Sequence, residues 1–305
     1  AEDYIEDAGG VTDRGDDDAV IVIHPNAEVA IGGPGMTILP GDEVLVPPNV
    51  DVKVIQNIGD ITTVIYQLVV STAVVVSVGT DTVLADAGRY QREAAQMLVE
   101  SGRRRLRAAI ASHTDEDHVG GMVHVLRTFE VQDLLVPAWM LGERQVVPLL
   151  RAARRRGARV RPVTSGSAVT LGSIRLEIIW PPAVNLPRQE NERSLVVRAR
   201  LDQGSALVTA DIGRATEKML IGAGPLRSAV LVVPHHGGRH STSPALLEAT
   251  EPSVALIPAA PGNTHGHPHP EVLDRLAERH IPVRYPARDG RCGARWNGQA
   301  WVAFP

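Results

Sequence analysis

The chain has 305 residues, 44% of them hydrophobic and 3% aromatic, with 28 glycines and 22 prolines. That supports one large domain, or a main domain with a small appendage, built from many short elements. No apolar run approaches a membrane span: the best candidate, Thr62 to Val78, is broken by Tyr66, Gln67, Ser71, Thr72 and Ser77, so a soluble protein is expected, cytoplasmic or exported. The formal charge of −4 is uneven, because the first eighteen residues carry −7 and leave the remainder about +3, and the single cysteine, Cys292, excludes an intrachain disulfide and cysteine-rich zinc sites.

Residues 1–18 read as a flexible acidic tail, with too few apolar side chains to pack. Residues 19–50 read as a β-rich extension, with short strands at Val20 to Ile23 and Val44 to Val46 between glycine- and proline-rich turns. From residue 51 to 305 the pattern is that of one domain. It opens with strands at Val52 to Gln56, Thr62 to Val70, Ala73 to Val78 and Thr82 to Ala85, spaced as an antiparallel meander. A helix over Arg92 to Ser101 follows, and Leu106 to Ala111 reads as a buried strand.

That strand runs into ASHTDEDHVGGM, Ala111 to Met122. His113 and Asp115 lie two apart and project the same way on an extended segment, while Asp117 and His118 project toward a different centre. One short loop can therefore hold two metal ions. Imidazole and carboxylate bind divalent cations without redox chemistry, and acids crowded into one turn are unfavourable unless a cation neutralises them. A helix is expected over Val119 to Phe129, then a strand at Leu134 to Pro137, a helix over Arg144 to Arg156 and a strand at Arg159 to Val163. Two arginine clusters, Arg103, Arg104, Arg105 and Arg107, then Arg151, Arg154, Arg155, Arg156, Arg159 and Arg161, could track a phosphate backbone or be solvated faces. A hairpin, Ala168 to Leu171 with Ile174 to Trp180, opens a second half with strands at Leu195 to Leu201, Ala206 to Ala210, Ala229 to Val233 and Val254 to Pro258, and helices over Arg214 to Ile221 and Glu271 to His280. In this half Asp211 and the pair His235-His236 each end an apolar strand, and His265, His267 and His269 alternate before the last helix.

The HxDxDH segment resembles the HxHxDH signature of the metallo-β-lactamase superfamily with Asp115 in place of its second histidine, a variant similar to the ComEC-like domain of DNA-uptake proteins. Leu84 to Gly88 resembles that family's LIDGG, Leu207 to Asp211 its LLTGD, Pro234 to Gly238 its PHHGS, Asn191 to Leu195 its NxxSLV and Gly266 to Pro270 its GHPHP. The glycine-rich DVGQGD turn is reduced to Gly59-Asp60, and the serine of PHHGS is replaced by Gly238. The resemblance covers about Val52 to the C-terminus and implies an α/β (α+β) four-layer αββα sandwich carrying the small N-terminal β-rich extension.

It also implies a site. The metal set would be drawn from His113, Asp115, Asp117, His118, Asp211, His235 and His236, with Asp211 bridging and His235 preferred over His236 because it directly follows the strand. Asp86 would support the loop, Asn191, Ser194 and His269 would lie in the outer shell or on the substrate side, and His267 would contact phosphate or donate a proton. Two divalent ions, manganese or zinc, would generate a bridging hydroxide, with Asp117 and His267 closest to the chemistry. The expected activity is a metal-dependent phosphodiesterase or nuclease with nucleic acid as partner. The alternatives are a hydrolase of small phosphodiesters, thioesters or lactones, and a non-catalytic binding module of the same fold.

Overall fold

A computed structural model describes residues 2–7, 20–23, 29–32, 35–46, 63–67 and 72–304. The chain forms two compact units, Ala1–Asp60 and Ile61–Pro305. In the first, β1 (Val20–Ile23) pairs antiparallel with both β2 (Val29–Gly32) and β3 (Glu43–Leu45). Within the acidic leader, Glu2–Asp7 is a helix whose Ile5 is buried together with Val20 and Val22, and residues 8–18 of the expected tail lie outside the described residues. The expected strand at Val52 to Gln56 lies outside the described residues.

The second unit is built on two sheets. The first has β4 (Thr63–Gln67), β5 (Val74–Val78), β6 (Asp81–Ala85), β7 (Arg105–Ile110), β8 (Glu130–Pro137) and β9 (Arg159–Val163). The second has β10 (Ala168–Leu171), β11 (Ile174–Trp180), β12 (Val196–Leu201), β13 (Gly204–Val208), β14 (Val230–Val232), β15 (Val254–Leu256) and β16 (Val283–Arg284). The C-terminal strands β17 (Cys292–Trp296) and β18 (Trp301–Phe304) return to the first sheet, whose order is β18-β17-β4-β5-β6-β7-β8-β9. Each sheet begins antiparallel and ends parallel: β6 to β9 in the first and β13 to β16 in the second are parallel. The second half therefore does repeat the layout of the first.

Side-chain alternation sorts these strands into layers. On β14 and β15, Val230, Val232, Val254 and Leu256 face Ile110, Leu135 and Val76 of the other sheet. The intervening Leu231, Ala255 and Ile257 pack outward with Leu220, Leu246 and Leu276 of the helices Arg214–Ala223, Pro244–Thr250 and Pro270–Glu278. On β8, Leu134 and Val136 face outward to Met97, Leu126 and Leu149 of the helices Glu93–Glu100, Met122–Thr128 and Val147–Arg155. The result is helix, sheet, sheet, helix. The helix expected from Val119 to Phe129 is split into Glu116–Val119 and Met122–Thr128 at Gly120-Gly121. The carbonyls of Arg89 and Ala87 crowd this pair so closely that a Cβ would lie 2.1 Å from Arg89 O at position 120 and 2.4 Å from Ala87 O at position 121.

The arginine clusters are partly consumed by structure. Arg107 pairs with Asp81 at 2.6 Å and Arg105 with Glu130 at 2.9 Å. Arg159 and Arg161 both bind the fully buried Asp133, at 2.8 and 2.9 Å. Arg103 to Arg107 also stand at the start of β7, about 16 Å along the strand from its far end, where the histidine-rich loop begins. Arg154 to Arg156 close the helix that returns the chain to the start of β9, again opposite the loops that follow the parallel strands. Asp133→Ala removes the partner of two guanidinium groups and is expected to destabilise the protein by about 2 kcal/mol in urea unfolding. A change below about 0.5 kcal/mol would mean that the pair contributes only at the surface-bridge level.

Candidate metal centre

The parallel strands of both sheets end on one side, where open α/β sheets place their sites. The loops after β6, β7, β13, β14 and β15 meet there. Their backbones are tightly tied: Ala87 N–H donates to His118 O at 2.7 Å, Gly121 N–H to Gly88 O at 2.9 Å, and His235 N–H to Ala210 O at 2.8 Å. Several of these strand ends pass through the left-handed region, with φ of 58° at Asp86, 46° at Ala210, 51° at His235 and 53° at His236. Such positions cost about 1 kcal/mol or more each and cluster where function imposes the geometry.

Five side chains converge. His113, His118 and Asp211 present ligand atoms within 4.8 Å of one another, and so do Asp117, His118 and His236. His118 Nε2 lies 3.1 Å from Asp211 Oδ1 and 3.4 Å from His236 Nε2, and His236 Nε2 lies 3.3 Å from Asp211 Oδ2 and 3.6 Å from Asp117 Oδ2. Asp115 is half-exposed at the edge, its Oδ2 3.4 Å from His113 Nε2. Of the histidine pair, the structure brings His236 rather than the preferred His235 into the cluster: Nδ1 of His235 meets the Asp211 carbonyl at 3.2 Å, while His236 turns its Nε2 inward. Two consecutive left-handed residues swing the second imidazole inward, which strand position alone does not foretell.

The outer contacts fix which nitrogen faces in. Asp86 Oδ1 accepts the Ser112 N–H at 2.9 Å, and Oδ2 accepts from Ser112 Oγ and from His118 Nδ1, both at 2.8 Å. With its proton on Asp86, Ser112 Oγ accepts from His113 Nδ1 at 2.9 Å. His236 Nδ1 donates to Pro258 O at 2.8 Å. All three imidazoles thus direct Nε2 to the centre. Asp86 contacts two of them, His118 directly and His113 through Ser112, a serine that sequence reasoning missed.

Glu190 was also missed. Its carboxylate accepts the Thr114 N–H at 3.1 Å and the Thr114 hydroxyl, bracing the loop from the second half of the chain. Nearby, Leu195 N–H donates to Ser112 O at 2.9 Å, which ties the segment of Asn191 and Ser194 to the same loop, although Ser194 Oγ is buried without a hydrogen bond. His269 caps the helix Pro270–Glu278, its Nδ1 accepting from Glu271 N–H at 3.3 Å, and it stands outside the cluster.

Electrostatics follow from this crowding. Burial disfavours the charged form of His118, yet the Asp211 and Asp86 carboxylates outweigh it and raise its pKa well above the ordinary imidazole value of 6.5. Burial likewise opposes the Asp211 carboxylate, but His118 and His236 hold its pKa well below 3.8. His236 is raised by Asp211 against its own burial. The His113 ring holds Asp115 below the usual carboxylate range despite partial burial. Burial and then the His236, His235 and His265 rings push His267 down to about 4, so at neutral pH it offers a neutral ring rather than an imidazolium proton.

Residues 66–260 match the sequence profile of the metallo-beta-lactamase superfamily. The chain belongs to that superfamily. As a metallo-β-lactamase-fold protein it is 28% identical over 203 residues to ComE operon protein 3 of Bacillus subtilis (strain 168), an alignment covering 66% of this chain and 26% of that one. It is also 28% identical over 187 residues to Recombination protein 2 of Haemophilus influenzae, covering 61% of this chain and 22% of the relative. The chain therefore spans about a quarter of the length of these relatives. Among solved structures, the diiron β-hydroxylase CmlA from Streptomyces venezuelae has the same fold, with TM-score 0.53, 13% identity, and coverage of 88% of this chain and 66% of CmlA.

The donor set fits a divalent cation. Among the described residues, His113 Nε2 is buried with no hydrogen-bond partner and Asp211 Oδ1 meets only the His118 ring, at 3.1 Å, and both atoms are aimed at the cluster. Without a cation, protons on His118 and His236 must balance Asp211. That stabilisation is complete below the unfolded imidazole value of 6.5 and is lost as pH rises through the raised folded values, while the Asp211 contribution holds above 3.8. In the presence of chelator the melting temperature is therefore expected to fall as pH rises above about 6.5. A flat or rising profile would contradict the charge assignment.

Proposed function

We propose that this chain is a metal-dependent phosphodiesterase acting on nucleic acid, with His113, Asp117, His118, Asp211 and His236 as its metal ligands. The observation that carries the reading is the convergence of three Nε2 atoms and two carboxylates in a cluster whose Asp117 and His236 line a surface groove of about 390 Å³. The residues that would hold the metal fall into two overlapping groups, His113, His118 and Asp211, and Asp117, His118 and His236, in which the single Nε2 lone pair of His118 would serve one ion, with Asp115 at the open edge. An oxygen-rich set with Asp115 favours a hard ion such as manganese, and the imidazoles accommodate zinc. The nucleic-acid assignment draws on the name of the relative Recombination protein 2. The large arginine clusters lend it no support, because their positions lie opposite the site.

A divalent cation at this centre lowers the pKa of a bound water toward neutrality and polarises a phosphoryl oxygen. The chain's own residues supply the geometry. Asp86 and Ser112 lock the tautomers of His118 and His113, and Pro258 O locks that of His236. Neutral His267 stacks beside His236, ring centroids 6.1 Å apart, on the groove side of the centre. Its backbone is clamped by Asn263, which accepts from His267 N–H at 2.9 Å and donates to His267 O at 2.7 Å. The ring is thereby placed to hydrogen-bond a phosphate oxygen or leaving group.

Hydrolysis of bis(p-nitrophenyl) phosphate and of oligonucleotides should require manganese or zinc and stop with chelator. Asp211→Asn and His236→Ala should each lower kcat/KM about 100-fold or more with circular dichroism unchanged, whereas His235→Ala should retain most activity. Equal losses at His235 and His236 would overturn the ligand assignment, and activity that persists in chelator would overturn the mechanism. Asp86→Ala is expected to weaken metal affinity 10- to 100-fold in competition with a chromophoric chelator. Unaltered affinity would remove Asp86 from the orienting role.

A further inference from the structure

Two side chains on the groove are not used above. Arg89 and Tyr90 line it together with Asp117, His236 and His267. They stand on the short turn after β6, and that turn is unusually constrained. The carbonyl of Arg89 lies where a Cβ of residue 120 would fall, and the carbonyls of Ala87 and Tyr90 flank the position of a Cβ of residue 121. Gly121 N–H donates to Gly88 O at 2.9 Å, and Ala87 N–H to His118 O at 2.7 Å. The glycine pair that ends the metal loop is therefore the seat of this turn, so Arg89 and Tyr90 are held rigidly beside the centre while their side chains reach out.

What they present is a cation and an aromatic face. Tyr90 is 64% exposed, an unusual state for a large ring held on a rigid turn. Arg89 makes a 3.6 Å ion pair with Glu116, whose side chain is 73% exposed, a contact that a phosphate readily displaces. Among the described residues lining the groove, Arg89 is the one arginine or lysine. A guanidinium and an adjacent ring suit a phosphate and the base attached to it. A base can stack on a protein ring only when it is free of its own neighbours, which selects an unpaired strand over a duplex.

We propose that Arg89 and Tyr90 form a nucleotide-gripping lip, with Arg89 on a phosphate flanking the scissile one and Tyr90 stacked on an unpaired base, making single-stranded nucleic acid the substrate class. This rests on the phosphodiesterase reading for its biological sense but has its own readout, binding. Fluorescence anisotropy with labelled oligothymidine, an abasic strand of the same length and a duplex, in chelator, measures the lip without turnover. Tyr90→Ala should weaken oligothymidine binding about tenfold and leave the abasic strand unchanged, Tyr90→Phe should bind as the unmutated protein does, and Arg89→Ala should weaken both strands. No binding of oligothymidine by the unmutated protein, a preference for duplex, or equal effects of Tyr90→Ala on both strands would overturn the proposal. Hydrolysis of bis(p-nitrophenyl) phosphate by the unmutated protein, assayed separately, tests the catalytic reading: selective binding without hydrolysis leaves the lip standing and the phosphodiesterase fallen, and hydrolysis without a Tyr90 effect does the reverse.

Discussion

Everything at the centre depends on one carboxylate. Asp211 is 4% exposed, and an isolated charge at that depth would cost several kcal/mol. Its only affordable state is one with positive charge within a few ångströms, and the protein supplies two imidazoles that serve either as imidazolium partners or, after releasing their protons, as ligands beside the same oxygen atoms. Proton and cation thus compete for one set of lone pairs. Among the surrounding hydrogen bonds, that of Asp86 also favours positive charge on His118, and all of them fix the direction in which Nε2 points, which both occupants require.

That arrangement exacts a cost from the backbone. The chain leaves β6, β13 and β14 through left-handed residues, and these exits bear or adjoin side chains of the cluster. The parallel halves of the two sheets, with apolar side chains on both faces, absorb such strain because neighbouring strands hold each exit in place. The site is rigid by virtue of where it hangs rather than by local preference.

The strand-ending side chains that converge in the cluster were legible in the sequence because each follows an apolar run and breaks it with an ionisable residue, as at Ile110 to His113 and Leu207 to Asp211. The layout of two similar halves was legible for the same reason, in the buried runs of β12 to β15. Less legible was anything set by dihedral angle or long-range contact. The choice between His235 and His236 turns on two positive φ values, and the brace from Glu190 to Thr114 spans 76 positions. The helix break at Gly120-Gly121 shows only once the carbonyl of Arg89 is seen against it. The charge clusters left two readings open, because composition counts arginines without saying which end of a strand they occupy, as Arg105 and Arg107 illustrate.

The hairpin of β17 and β18 completes the sheet whose first described strand is β4, with Cys292 facing Gln67 in the register. More than two hundred residues separate these partners, so on a ribosome adding about 5 to 20 residues per second the outer edge of β4 waits roughly 10 to 45 s for its neighbour. During that interval an unpaired edge is open to other nascent chains. Synthesis order thus makes β17 and β18 the strands that cover this edge of β4.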